Sequence, residues 1–355
     1  MGATTVRSSA DPTTILLQGT DWYGHYRSPY VKVFVNGRGP YTFLFDTGSN
    51  VTTVSSQVAR EASAHIVSHV PGHHAIVKLD ELRAGNISMR DYYAVIADGD
   101  DLDGILGFNA FGKKYLTFNL KRKTLVVGSR PNRLPLAFWM PYRLSHRLPE
   151  IELAIDGRRL PTLIDSGDDA YAWEATSRDL RGLLFDSTPV ESALVYNGQT
   201  GATRTKITSI DGTLELGDVH AGRPAVAINE SLPLPDIGVE VMQQFVMEFD
   251  RLHQRVGFEP LFAGREFSVP GERTCGLTIS FRKRLRYVRD VLPAMAPARA
   301  GIHVGDVIAT VGGKDARSMT FREWDEMLRT RAQITLTWKS DGASRSATFP
   351  VVNLK

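Results

Sequence analysis

The sequence predicts a mostly β protein in which one lobe is built twice and a smaller third domain follows. Three observations lead there. An apolar run ends in Asp-Thr-Gly at residues 43–48 (FLFDTG), and another ends in Asp-Ser-Gly at 163–167 (LIDSG). Each is preceded by two alternating apolar segments joined at Asn36-Gly37 or Asp156-Gly157, the mark of a hairpin with a primed turn. Composition agrees: 31 glycines and 18 prolines in 355 residues suit a turn-rich β chain. A hydrophobic share of 42% lets two or three domains each bury a core.

Taken in order, residues 1–14 (MGATTVRSSADPTT) read as a flexible lead-in without the apolar run of a signal peptide. The first lobe is expected over 15–129. Its hairpin YVKVFVNGRGPYTFLF delivers Asp46 into a tight turn, nine residues after the turn glycine Gly37. Alone, such a turn is an ordinary surface feature. Residues 130–147 are the inter-lobe connection, and 148–260 the second lobe. There PEIELAIDGRRLPTLI delivers Asp165, eight residues after Gly157. Downstream, DLDGILGFNAF and then LTFNLKRKTLVVG in the first copy match LPDIGVEVMQQF and then VMEFDRLHQRVGF in the second. Four features recurring in one order make an internal repeat.

Over about 15–260 the chain resembles the retropepsin-like and pepsin-like aspartic proteases, in bacterial single-chain form. The resemblance implies one catalytic aspartate per lobe, Asp46 and Asp165. It implies that Thr47 and Ser166 tie the two loops together, with Gly48, Ser49, Gly167 and Asp168 completing them. Ile105-Leu106-Gly107 and Asp236-Ile237-Gly238 match the turn that crosses under each loop. Paired carboxylates suit this chemistry because two of them about 3 Å apart share one proton. One then serves as base for a water and the other as acid for the substrate carbonyl. The pair titrates as a unit. No Ser/His/Asp elbow is present, and no cofactor or metal is called for.

The copies differ after the glycine, with Ser49 in the first and Asp168, followed by Asp169, in the second. Facing the dyad, Asp168 would raise its proton affinity and move activity upward in pH; facing outward, it is a turn residue. The altered turn also suits a lobe that keeps the fold and has lost catalysis.

The family's flap implies two hairpin candidates, 68–77 with His73 and His74, and 195–207 with Tyr196, Gly198 and Gly201. Two plain surface loops are the alternative. His65 and His69 share the i, i+4 spacing of a helical metal pair, but Pro71-Gly72 breaks a helix and no carboxylate or cysteine completes a site. They read as solvated histidines able to make the loop respond to pH. The connection holds Phe138, Trp139 and Met140, exposed-looking residues that either pack on the lobes or occupy the cleft as an internal inhibitor.

After a Pro/Gly-rich linker at 261–274, residues 275–355 resemble a bacterial PDZ domain, most specifically in Ala300-Gly301-Ile302 and Gly305-Asp306-Val307-Ile308. The resemblance implies a groove that adds a peptide as an extra strand, with Gly276, Leu277, Thr278 and Ile279 on one side and Phe321 on the other. The glycine of CGLT falls one place early, so an internal peptide stands beside a C-terminal one as the partner. On the helix at 320–329, Phe321, Trp324, Met327 and Leu328 are expected mostly in the core.

A net charge of +3 and a pI near 8.9 imply no polynucleotide partner; Lys121-Arg122-Lys123 and the basic run 282–286 read as solvated hairpin residues. The single Cys275 excludes an intrachain disulfide. No apolar run approaches the roughly 20 residues of a membrane span. Localisation stays open between export, the periplasm included, and the cytoplasm. The sequence thus predicts an aspartic endopeptidase acting on extended protein segments, with the PDZ domain for substrate capture or regulation. The rival is a catalytically silent peptide-binding adaptor on the same fold.

Overall fold

Asn36-Gly37 and Asp156-Gly157 each place two consecutive residues at positive φ, 48° and 76° in the first turn and 49° and 78° in the second. That is the type I′ geometry whose twist matches a hairpin. Strand His25–Val35 therefore folds back on Arg38–Asp46, and Leu148–Ile155 on Arg158–Ile164. The computed structural model describes residues 5–8, 11–20, 25–68, 74–98, 102–132, 134–197, 201–281 and 285–355. It is 53% strand and 8% helix.

The first hairpin belongs to a nine-stranded sheet, the second to a ten-stranded one. In the first sheet Ile87–Ile96 pairs with both Thr53–Val54 and Ile76–Ala84, which closes the central strands into a barrel-like ring. In both sheets the strand carrying the aspartate is flanked by a parallel neighbour from far along the chain. Gly104–Gly107 sets Ile105 opposite Leu44 and Gly107 opposite Asp46; Asp236–Ile237 sets Asp236 opposite Leu163. A further short strand lies antiparallel to each, pairing Thr53 with Ile105 and Glu174 with Asp236. Thr53 and Glu174, like Ile105 and Asp236, therefore occupy matching places in the two lobes.

A six-stranded sheet joins the lobes. The closing hairpins of the two copies pair with each other, Leu116 opposite Phe249 and Phe118 opposite Met247. Thr13–Leu16 adds at one edge and Phe138–Pro141 at the other. Phe45, Phe108, Phe118 and Phe249 are buried beneath it, with ring centroids 5.2 to 5.9 Å apart along the chain of contacts. Each such ring contributes about 1.5–3 kcal/mol on burial, and together they make one core shared by both lobes.

Several expectations change here. Much of the lead-in expected to be flexible is strand: Thr5–Ser8 pairs with Ile87–Ile96, and Thr13–Leu16 with Thr124–Gly128. Two free sheet edges need backbone partners, and these short polar runs supply them. The connection is strand as well, with Phe138 and Met140 buried; only Trp139 stays partly exposed, its ring stacked on Arg255 at 4.4 Å. The segment expected as a linker ends in a strand, Glu272–Thr274, paired with the C-terminal Val352–Leu354.

The third domain is a five-strand path led by the edge strand Leu277–Ser280, which pairs with Arg286–Val291. Its helix Phe321–Thr330 starts from a capping box, Thr320 accepting from the Glu323 N–H while the Glu323 carboxylate accepts from the Thr320 N–H. Trp324 and Leu328 are buried in this domain's core, and Phe321 and Met327 pack against it.

Candidate active site

Strands Arg38–Asp46 and Arg158–Ile164 bring their two loops face to face. The Thr47 N–H donates to Ser166 Oγ at 3.0 Å, and the Ser166 N–H to Thr47 Oγ1 at 2.9 Å. Each hydroxyl then donates across the divide, Thr47 to the Ile164 carbonyl at 2.6 Å and Ser166 to the Phe45 carbonyl at 2.8 Å. Both residues have no solvent exposure. Four bonds with complete mutual satisfaction at a buried site fix the loops against each other.

The aspartates sit above this lock, and each carboxylate lies against the other loop's glycine. A Cβ on Gly167 would stand 2.7 Å from the Asp46 carboxyl carbon, and one on Gly48 would overlap the Asp165 carboxylate. Only glycine allows that approach. Each glycine N–H donates to its own aspartate, Gly48 to Asp46 Oδ1 and Gly167 to Asp165 Oδ1, both at 2.7 Å. Burial, then the Asp165 charge, pushes Asp46 well above the carboxylate range. Burial raises Asp165 too, opposed by the bond to Asp46 and by backbone N–H donors. Both carboxyls are thus raised together, as one titrating unit.

Residues 31–110 match the family model described as Aspartyl protease, and 267–339 match that of the PDZ domain. The chain carries an aspartyl protease domain followed by a PDZ domain. A comparison with curated proteins gives no match.

Beneath the aspartates, Ile105, Leu106 and Gly107 lie parallel to the first strand and Ile237 beside the second. Gly107 and Gly238 serve matching close approaches: a Cβ would stand 2.9 Å from the Ser49 carbonyl oxygen in one and 2.6 Å from that of Asp168 in the other. Ser49 bonds to the Val51 carbonyl. Asp168 faces the protein: its Oδ1 accepts from the Ala170 N–H, while Oδ2 is buried without a partner. Ser28 of the first lobe donates to Asp169 at 2.7 Å.

Two further carboxyls lie here: Asp236, which sequence reasoning named only as part of its glycine motif, and Glu174, which it left out; they are 4% and 2% exposed. Burial, then Asp168, Glu174 and Asp165, raise Asp236 well above the usual range. Burial, then Glu174 and Asp165, do the same for Asp168. Burial and the Asp165 charge push Glu174 up to about 7, against the Asn229 amide, which donates to it at 2.7 Å. Aligning the copies position by position exposes Asp236 where the first has Ile105; Glu174 lies in a stretch without repeat signal.

Of the flap candidates, His73 and Gly198 lie outside the described residues. His65–Ser68 and Ile76–Ala84 pair as a hairpin, with His74 beside the second strand. His65 is therefore in a strand, where the helical spacing to His69 has no meaning, and His69 is outside the described residues. Val190–Asn197 and Gly201–Ser209 form the other hairpin, Tyr196 opposite Ala202 and Asn197 opposite Gly201. Among the described residues no group of three potential ligands converges on a metal.

In the PDZ domain, Gly276 takes φ +90° with its carbonyl accepting from the Leu292 N–H at 3.0 Å. Leu277, Thr278 and Ile279 follow on the edge strand. Phe321 meets Phe281 edge-on at 5.5 Å. Cys275 is fully buried and its thiol pushed up to about 12 by burial, so it is inert packing.

Proposed function

We propose that the chain is an aspartic endopeptidase that hydrolyses peptide bonds of extended protein segments, with Asp46 and Asp165 as its catalytic pair. One observation carries the reading: each carboxylate rests on the opposite loop's glycine, over a four-bond lock between Thr47 and Ser166. Such a pair holds one proton. The ionised member takes a proton from a water placed between the two, and the water oxygen attacks the peptide carbonyl. The protonated member donates to the oxyanion. As the tetrahedral intermediate collapses, the carboxyl that took the water's proton passes it to the leaving nitrogen and the other recovers its proton from the diol. Amine and acid are released, and the pair again holds one proton. Both lobes come from one chain, so the pair needs no second subunit.

The PDZ edge strand Leu277–Ser280 supports capture of a C-terminal or internal peptide by strand addition. A peptide-binding adaptor without turnover is the second reading, favoured by Asp168 in place of the hydroxyl found at Ser49. The test is incubation of native chain, Asp46→Asn and Asp165→Asn with an unstructured protein from about pH 3 to 8, the span over which carboxylates and histidines titrate, and identification of new termini. Cleavage by the native chain alone supports the endopeptidase; tight peptide binding with no new termini at any pH supports the adaptor.

A further inference from the structure

The two lobes match in backbone and differ in charge at three positions that meet in space. Ser49, Thr53 and Ile105 of the first lobe correspond to Asp168, Glu174 and Asp236 of the second. The substitutions are concerted. Asp236 meets Asp168 side chain to side chain, and the atoms Asp168 Oδ2 and Asp236 Oδ1 are both buried without a donor. Asp168 Oδ1 is already occupied by the N–H groups of Ala170, at 2.9 Å, and Tyr171, at 3.4 Å. Gly238 has no side chain to separate it from Asp168, since a Cβ there would stand 2.8 Å from Oδ2.

Two ionised carboxylates cannot rest together out of water. The charged groups facing them offer no relief. Glu174 comes from the neighbouring strand, and Asp165 and Asp169 from the same loop, all acidic. Among the described residues neither Asp168 nor Asp236 has an ion pair with a lysine or arginine, and no metal-holding group includes them.

We infer that Asp168 and Asp236 share a proton, forming a second carboxyl–carboxylate pair that positions the Asp165 loop from behind. One proton between two carboxyls leaves a single negative charge and satisfies both orphaned oxygens. The proton bridges the loop after Asp165 to the strand Asp236–Ile237 that runs beneath it. This positioning role rests on the reading of Asp46 and Asp165 as the catalytic pair. The direction of both groups' titration, well above the ordinary carboxylate range, agrees with the geometry.

The test uses the full chain, Asp236→Asn and Asp236→Leu. The amide of Asn can donate to Asp168 in place of the shared proton; Leu fills the space and donates nothing. Thermal melting from about pH 5 to 8 is expected to show native stability falling with pH, and Asp236→Asn falling less by the equivalent of about one bound proton. Asp236→Leu is expected to lose at least about tenfold more turnover than Asp236→Asn, because the orphaned Asp168 carboxylate no longer holds its loop. Equal pH slopes for native and Asp236→Asn chains, or equal activity losses in Asn and Leu, would overturn the shared proton. The melting curves need no turnover, so they test the shared proton even where Asp46→Asn shows that the catalytic pair lies elsewhere.

Discussion

Thr47 and Ser166 show how little sequence a buried lock requires. Each supplies one N–H and one hydroxyl, and all four groups find partners in the other loop. Thr47→Val keeps the shape and removes the oxygen, leaving the Ser166 N–H and the Ile164 carbonyl unpaired in the interior. A loss of about 1–3 kcal/mol for each orphan is expected, read by urea denaturation at fixed pH; a loss below about 0.5 kcal/mol would mean the loops are held elsewhere. The Asp, Thr/Ser and Gly of each loop were legible because their chemistry is local: an acid, a hydroxyl and a residue without a side chain in fixed order. Glu174 and the acid role of Asp236 were not, because they depend on the pairing of Asp236 with Leu163 and with Glu174 from distant parts of the chain, which no local pattern announces.

At the scale of elements, the second-lobe hairpin is bound to the PDZ domain. Arg204 of strand Gly201–Ser209 makes a two-pronged bond, 2.8 Å in each arm, to Asp290 of strand Arg286–Val291. Asp290 also accepts from the Leu194 N–H at 3.1 Å and is 4% exposed. Beside it Ser192 donates to Glu272 and bonds the Tyr171 hydroxyl, three residues after Asp168. Arg204 also donates to the Ser192 carbonyl at 3.2 Å, so hairpin, linker strand and site loop are joined by one part-buried polar chain. Arg204→Ala leaves the Asp290 carboxylate without its cation and is expected to cost about 3 kcal/mol. Hydrogen exchange should quicken in both Gly201–Ser209 and Arg286–Val291; unchanged exchange in the PDZ strand would show that the two domains are not coupled here. The hairpins themselves were legible from Asn-Gly and Asp-Gly. The edge strands at Thr5–Ser8, Thr13–Leu16, Phe138–Pro141 and Glu272–Thr274 were not, since short polar or Pro-flanked runs become strands only when a sheet edge is there to receive them.

Across the whole molecule, one core and one shared sheet make the duplicated lobes a single body, while Asp168, Glu174 and Asp236 bury acid in the second lobe. Glu174, Asp168 and Asp236 bind protons more tightly folded than unfolded. Their contribution to stability is complete below the ordinary carboxylate pKa of about 4 and is lost as pH rises, for Glu174 through about 7. Melting temperature is therefore expected to fall between about pH 5 and 8, and Glu174→Gln, which keeps the bond with Asn229 in reach, to flatten part of that fall. A native melting temperature constant over this range would contradict the burial of these acids.

The central claim is that Asp46 and Asp165 act as one unit, and a double-mutant comparison of initial rates tests it most directly. Asp46→Asn, Asp165→Asn and the double variant are assayed on one unstructured protein at the native pH optimum. A shared-proton pair predicts that each single change removes about a thousandfold or more, and that the double variant is hardly worse than either. Substantial activity in either single variant, or losses that multiply, would contradict a dyad and place the chemistry elsewhere.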